Sequence, residues 1–161
     1  AFNQSKKNNI LLIGDGSLAF NVQELSTIKF QGISASIFVI CNNGYSSIRN
    51  TLSTFLDGRL NGVSPETGIW MPSISNYSNT YKFNYFKLNT YSKNLNIEIS
   101  KILAQPGQNL VEVTIDPSQE IAPTQGFRES TQGNYVASPL YAMNPILSKR
   151  EEALMSKFIK N

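Results

Sequence analysis

Histidine is absent from this chain of 161 residues, and the absence excludes whole classes of chemistry. Without an imidazole there is no Ser–His–Asp or Cys–His relay, no His-ligated metal, and no side chain that titrates unperturbed near neutral pH. Cysteine is nearly absent too. Cys41 alone can form neither an internal disulfide nor a cysteine zinc cluster, so a reducing compartment is the expected setting. No stretch reaches the 18 or so apolar residues that a membrane span needs. Long basic runs are also missing. The 14 Lys and Arg residues are spread from Lys6 to Lys160, with nothing longer than Lys6-Lys7 or Lys149-Arg150, so the net charge of +3 makes no nucleic-acid patch. The expectation is a cytoplasmic protein with no nucleic-acid and no membrane partner. Any catalysis must use carboxylates, amides, backbone groups or a bound cofactor.

What is present reads as one domain of ordinary size. Ile10-Leu11-Leu12-Ile13 is an apolar run of buried-strand type, and Leu18, Val22, Leu25 and Ile28 follow at helical spacing. The pattern predicts strand, tight turn, helix. A second strand is expected at 36–41, a helix from about Ser46 to Phe55, and an ordered surface excursion over 57–72, where glycine, proline and the single tryptophan gather. Beyond it come a helix near 73–81, a strand at 85–88, a helix over 95–103 and a strand over 109–115. An extended, proline-bearing tail over 121–145 and a short helix from about Lys149 complete the expectation. Alternating strands and helices predict an α/β fold, a mainly parallel sheet with helices on both faces. In such sheets ligands sit beyond the carboxyl ends of strands, where Gly14-Asp15-Gly16 and Asn42-Asn43-Gly44 both fall.

The first of these loops fits two readings. Gly14, Gly16 and Ala19 satisfy the dinucleotide fingerprint G-x-G-x-x-G/A, which makes a nicotinamide-binding oxidoreductase the first rival. That fold wants an acid about 20 residues on, at the end of the second strand, to hold the ribose. This chain has Asn42-Asn43 there, and no Asp or Glu from Leu25 to Thr54. A carboxylate between the glycines would also repel a bare pyrophosphate, so Asp15 makes sense with a cation in between. Mg²⁺ suits the place. It takes oxygen ligands, commonly one or two protein groups together with substrate phosphates, while glycines admit the backbone closely and helix N-termini offer free N–H donors.

Gly14-Asp15-Gly16, then 25 residues from Ser17 to Cys41, then Asn42-Asn43, resembles the thiamine-diphosphate motif GDG-x(24–27)-NN. Gln23-Glu24-Leu25-Ser26-Thr27, the stretch from Pro106 to Val113 and the stretch from Ser138 to Pro145 resemble the acetolactate synthase and pyruvate decarboxylase superfamily. The match is to its C-terminal, diphosphate-binding domain, so the chain is expected to be the last part of a larger three-domain protein. The resemblance implies that Asp15 and Asn43 hold Mg²⁺ through their side chains and Tyr45 through its carbonyl. It further implies that Gly14, Gly16, Ser17 and Gly44 contact the diphosphate of thiamine diphosphate, and that Ile48 and Arg49 face the thiazolium and substrate. Pyruvate decarboxylases carry a working Glu at the position of Arg49, which speaks against simple non-oxidative decarboxylation and leaves carboligation open. The implied substrate is a 2-keto acid. The implied assembly is a homodimer or homotetramer whose upstream pyrimidine-binding domain comes from a second subunit. A non-catalytic assembly piece on the same fold is the further alternative.

Overall fold

The computed structural model describes residues 9–55, 58–119, 127–129, 133–137, 148, 150–151 and 154. The chain divides into two compact units, Ala1–Gln119 and Glu120–Asn161. Among the described residues the first is built on four strands, β1 (Asn9–Gly14), β2 (Ala35–Cys41), β3 (Asn84–Asn89) and β4 (Gln108–Thr114), all parallel in the order β1-β2-β4-β3. Its described residues include the helices α1 (Asp15–Phe20), α2 (Glu24–Phe30), α3 (Ser46–Phe55), α4 (Ile74–Tyr81) and α5 (Leu95–Leu103).

Both faces of the sheet are covered, as the alternating pattern predicts. Along β2 successive side chains point to opposite faces. Ile37 and Val39 join Leu18, Leu25, Ile74 and Leu110 under α1, α2 and α4, while Phe38 joins Val111, Val113, Leu88 and Ile102 under α5. Central β2 therefore reads as a near-continuous apolar run, while β4 places Leu110, Val111 and Val113 in the two layers. Each fully buried Leu, Ile or Val contributes about 1.5–3 kcal/mol, so these two layers hold the unit together.

Strand β1 departs from expectation. The apolar run predicts a buried strand, yet β1 lies at the edge of the sheet, with Ile10 59%, Leu11 44% and Leu12 70% exposed. An apolar run alone does not separate a central strand from an edge one. The single helix predicted after it is divided in two. Asn21 ends α1, its amide donating to the Ser17 carbonyl at 2.9 Å and its N–H to Leu18 O at 3.0 Å, so a short polar side chain competes with the backbone ladder. The apolar stripe survives the break, since Leu18 and Leu25 are both buried. There is also no separate turn before α1, because Gly14 is its N-cap and Asp15 its first residue.

The excursion over 57–72 carries a 3-10 turn at Pro65–Thr67. In the second unit β5 (Phe127–Glu129) and β6 (Tyr135–Ala137) pair antiparallel, where the sequence predicts only an extended tail. Residues 121–126, 130–132 and 138–145 of that tail lie outside the described residues. Arg150, Glu151 and Leu154 are helical, in line with the short helix expected from about Lys149.

Candidate functional site

The parallel register brings the two loops to the same end of the sheet, since Gly14 aligns with Ile40 and Asp15 follows directly. Asp15 then ties them together. Its Oδ2 accepts the N–H groups of Asn42 at 3.3 Å and Gly44 at 3.4 Å, and its Oδ1 accepts the N–H of Gly16 at 2.8 Å. The second loop is sharply bent. Asn43 sits at φ 61° and Gly44 at φ 120°. Asparagine tolerates the left-handed region, whereas at Gly44 a Cβ would lie 2.2 Å from the Val63 carbonyl oxygen. That same oxygen accepts the Tyr45 N–H at 2.8 Å. Gly16 is required for a different reason. A Cβ there would come within 2.5 Å of the Tyr45 ring, which stacks on Phe20 with centroids 6.0 Å apart.

Beside these loops is a cavity of about 400 Å³. Asp15, Asn43 and Gly44 line one side, residues 69–74 another, and Lys87, Glu112, Thr114, Ile115 and Pro117 a third. Tyr45, Ser17, Ile48 and Arg49 are not among the described residues lining it. Ser17 lies in the first turn of α1, Ile48 is half-exposed, and the Tyr45 carbonyl already accepts the Arg49 N–H at 2.9 Å. The Gly16 N–H that a phosphate would use is engaged by Asp15.

The wall formed by β3 and β4 is polar, and the sequence reading does not single it out. Lys87 pairs with Glu112 at 2.8 Å, and the Tyr85 hydroxyl donates to Glu112 at 2.7 Å. Burial pushes the Glu112 carboxyl up, but the hydrogen bonds from Lys87 and Tyr85 outweigh it and leave the group below the usual carboxylate range. Burial and the Glu112 charge push the Tyr85 phenol up to about 12. The Cys41 thiol, also on the cavity, is likewise raised to about 12 by burial and by the charges of Asp15 and Glu112. It is a neutral thiol and not a nucleophile. A residue-type signal for the wall was present in the register partners Lys87 and Glu112, but only the pairing of β3 with β4 makes them neighbours.

Among the described residues no cluster of three or more Cys, Asp or Glu gathers to hold a metal. The set that the motif brings together is different: one carboxylate, one carboxamide and backbone carbonyls. All are hard oxygen donors, which suit Mg²⁺ more than a softer transition metal. The buried Asn42 Oδ1 has no hydrogen-bond partner, while the backbone N–H of the same residue donates to Asp15. The donor chemistry therefore fits a Mg²⁺ ion.

The family model described as "Thiamine pyrophosphate enzyme, C-terminal TPP binding domain" matches residues 1–113. The acetolactate synthase large subunit of Cyanidium caldarium is 29% identical over 114 residues, which cover 71% of this chain and 19% of that protein. A pyruvate decarboxylase of Aspergillus terreus is 33% identical over 82 residues, 49% of this chain and 14% of that protein. The chain thus spans a fifth or less of the length of these relatives. In structure it is similar to benzoylformate decarboxylase from Polynucleobacter necessarius, with a TM-score of 0.57 at 20% identity over 69% of this chain and 20% of the other, a likeness of fold.

Proposed function

Because this chain belongs to the thiamine pyrophosphate enzyme family, as its C-terminal cofactor-binding domain, we propose that it holds the diphosphate of thiamine diphosphate together with a Mg²⁺ ion at the Asp15 and Asn42–Gly44 loops. The observation that carries the reading is the interlocking of those loops. One carboxylate, Asp15, accepts from two amides of the second loop and lines the same cavity as Asn43. Asp15 supplies the anionic ligand, Asn43 a carboxamide oxygen and Tyr45 the second lone pair of its carbonyl. Gly14, Gly16 and Gly44 leave room for the diphosphate, and the first turn of α1 at Ser17 offers a hydroxyl and an N–H. The family match and the missing acid at the end of β2 weigh against a nicotinamide site.

When bound, thiamine diphosphate supplies the carbanion chemistry by which a 2-keto acid loses CO2 and passes its acyl carbon to a second carbonyl. The role of this chain is to bind, orient and desolvate. Its described residues hold no histidine to act as base, and the Cys41 thiol is too weakly acidic to serve. The family resemblance assigns proton transfer at the ring to an upstream pyrimidine-binding domain contributed by a second subunit of a homodimer or homotetramer. We place the complete protein in the cytoplasm as a carboligase resembling acetolactate synthase. Among the described residues, no helix is long and apolar enough to cross a membrane.

The test compares the complete protein with residues 1–161 alone, each given thiamine diphosphate, Mg²⁺ and pyruvate. The complete protein is expected to release CO2 and form acetolactate only with both cofactors present. The shorter chain is expected to release no CO2 above the cofactor-only blank, and release by it would place a base within these residues.

A further inference from the structure

The resemblance implies that Arg49 faces the substrate, but its side chain is engaged elsewhere. The guanidinium donates to the carbonyls of Asn42 at 3.0 Å, Asn43 at 3.4 Å and Pro117 at 3.0 Å. The same turn is held from its other pole, where the N–H groups of Asn42 and Gly44 donate to Asp15. The peptide units of the turn thus lie between a fixed anion and a fixed cation, donors toward one and acceptors toward the other. Pro117 follows β4, so the contact also ties the turn to the loop beyond the central strand. The guanidinium reaches the three carbonyls from two nitrogens of a planar fork, a spread that the compact ammonium of a lysine does not reproduce.

We propose that Arg49 is a positioning residue, which locks the left-handed turn at Asn43 and so holds Asn43 at the edge of the cavity, where its amide nitrogen donates to Glu66 Oε1 at 3.5 Å and leaves the carboxamide oxygen open. The inference deepens the diphosphate and metal reading and rests on it. It also accounts for the Arg where decarboxylases use a Glu: this helix turn secures the loop instead of meeting the substrate. Loss of the guanidinium would hand the exposed Asn43 and Pro117 carbonyls to water, release the tie between them and let Asn43 relax from φ 61° toward the ordinary regions.

The experiment uses the complete protein with Arg49→Ala and Arg49→Lys. Mn²⁺ uptake in the presence of thiamine diphosphate is followed by electron paramagnetic resonance, alongside amide hydrogen exchange at 42–46 in the cofactor-free state and KM for pyruvate at saturating metal. Arg49→Ala is expected to weaken Mn²⁺ binding about tenfold. The Asn42 and Gly44 amides are expected to exchange about tenfold faster, with KM unchanged. Arg49→Lys, which keeps the stem and charge, should recover part of the loss, and it carries the test if the alanine variant does not fold. Unchanged Mn²⁺ affinity and unchanged exchange with a raised KM would overturn the proposal in favour of a substrate anchor. A wild type that takes up no Mn²⁺ would refute the metal reading itself, and the exchange data then judge the clamp alone.

Discussion

Replacing Gly44 with Ala probes the geometry that makes the second loop. The residue sits at φ 120°, which an L side chain rarely adopts, and its new Cβ would be 2.2 Å from Val63 O and 3.1 Å from both Val63 C and Ser64 Cα. These neighbours are backbone, so no flexible side chain can swing aside. Backbone strain of this kind costs about 1–3 kcal/mol. The displaced Val63 carbonyl also loses the 2.8 Å bond from Tyr45 N, worth about 1 kcal/mol. The sum, about 2–4 kcal/mol, corresponds to a fall in Tm of roughly 10 °C for a unit of this size. Thermal denaturation followed by circular dichroism reads it, with Gly14→Ala as control. Gly14 lies at φ −76° and its Cβ would meet nothing within 4 Å, so that variant should melt within about 2 °C of wild type. Equal melting of the two variants would refute the claim that Gly44 is sterically required.

Further outcomes follow from the same contacts. Gly16→Ala should be destabilising in the wild type but much less so in a Tyr45→Ala background, because its Cβ meets only the Tyr45 ring closely; a double-mutant cycle by denaturant unfolding that shows additivity would contradict this. Glu112 has a depressed pKa in the folded state, so its contribution to stability is present above its unfolded value of 4.5 and lost as pH falls through the folded one. Glu112→Gln should flatten the acid limb of the stability curve below that value, and an unaltered limb would show that the pair with Lys87 is idle. Cys41, with a thiol pushed up to about 12, should resist alkylation in the native state near pH 8 and react on unfolding, as mass spectrometry would report.

The two loops of the candidate site were legible because each carries its own signal. Glycine on either side of Asp15, and Asn42-Asn43-Gly44 after an apolar run, mark strand ends that local pattern alone can place. Strands and helices from Ala35 to Thr114 also fall close to the predicted spans, since β-branched runs and 3.6-residue spacing are local properties. Ser73, for example, caps α4 by accepting from the Asn76 N–H, one residue before the helix begins. What was not legible depends on partners far apart in sequence. The edge position of β1 follows from strand order. The contact of Arg49 with Pro117 spans 68 residues, and that of Tyr85 with Glu112 spans 27. Trp70, in the excursion over 57–72, is 79% exposed on the cavity, whereas Phe83 is buried. The broken first helix turns on a single side-chain hydrogen bond at Asn21, which no apolar periodicity encodes.

The central claim is that Asp15 holds the diphosphate through a metal ion. Calorimetric titration of the complete apoprotein with thiamine diphosphate, with and without Mg²⁺, addresses it most directly when wild type is compared with Asp15→Ala. The expected result is Mg²⁺-dependent binding in the wild type and a loss of at least tenfold in affinity, about 1.4 kcal/mol, in the variant. Asn43→Ala should lose less, since a neutral ligand is removed. Equal binding by wild type and Asp15→Ala in the presence of Mg²⁺ would contradict the account.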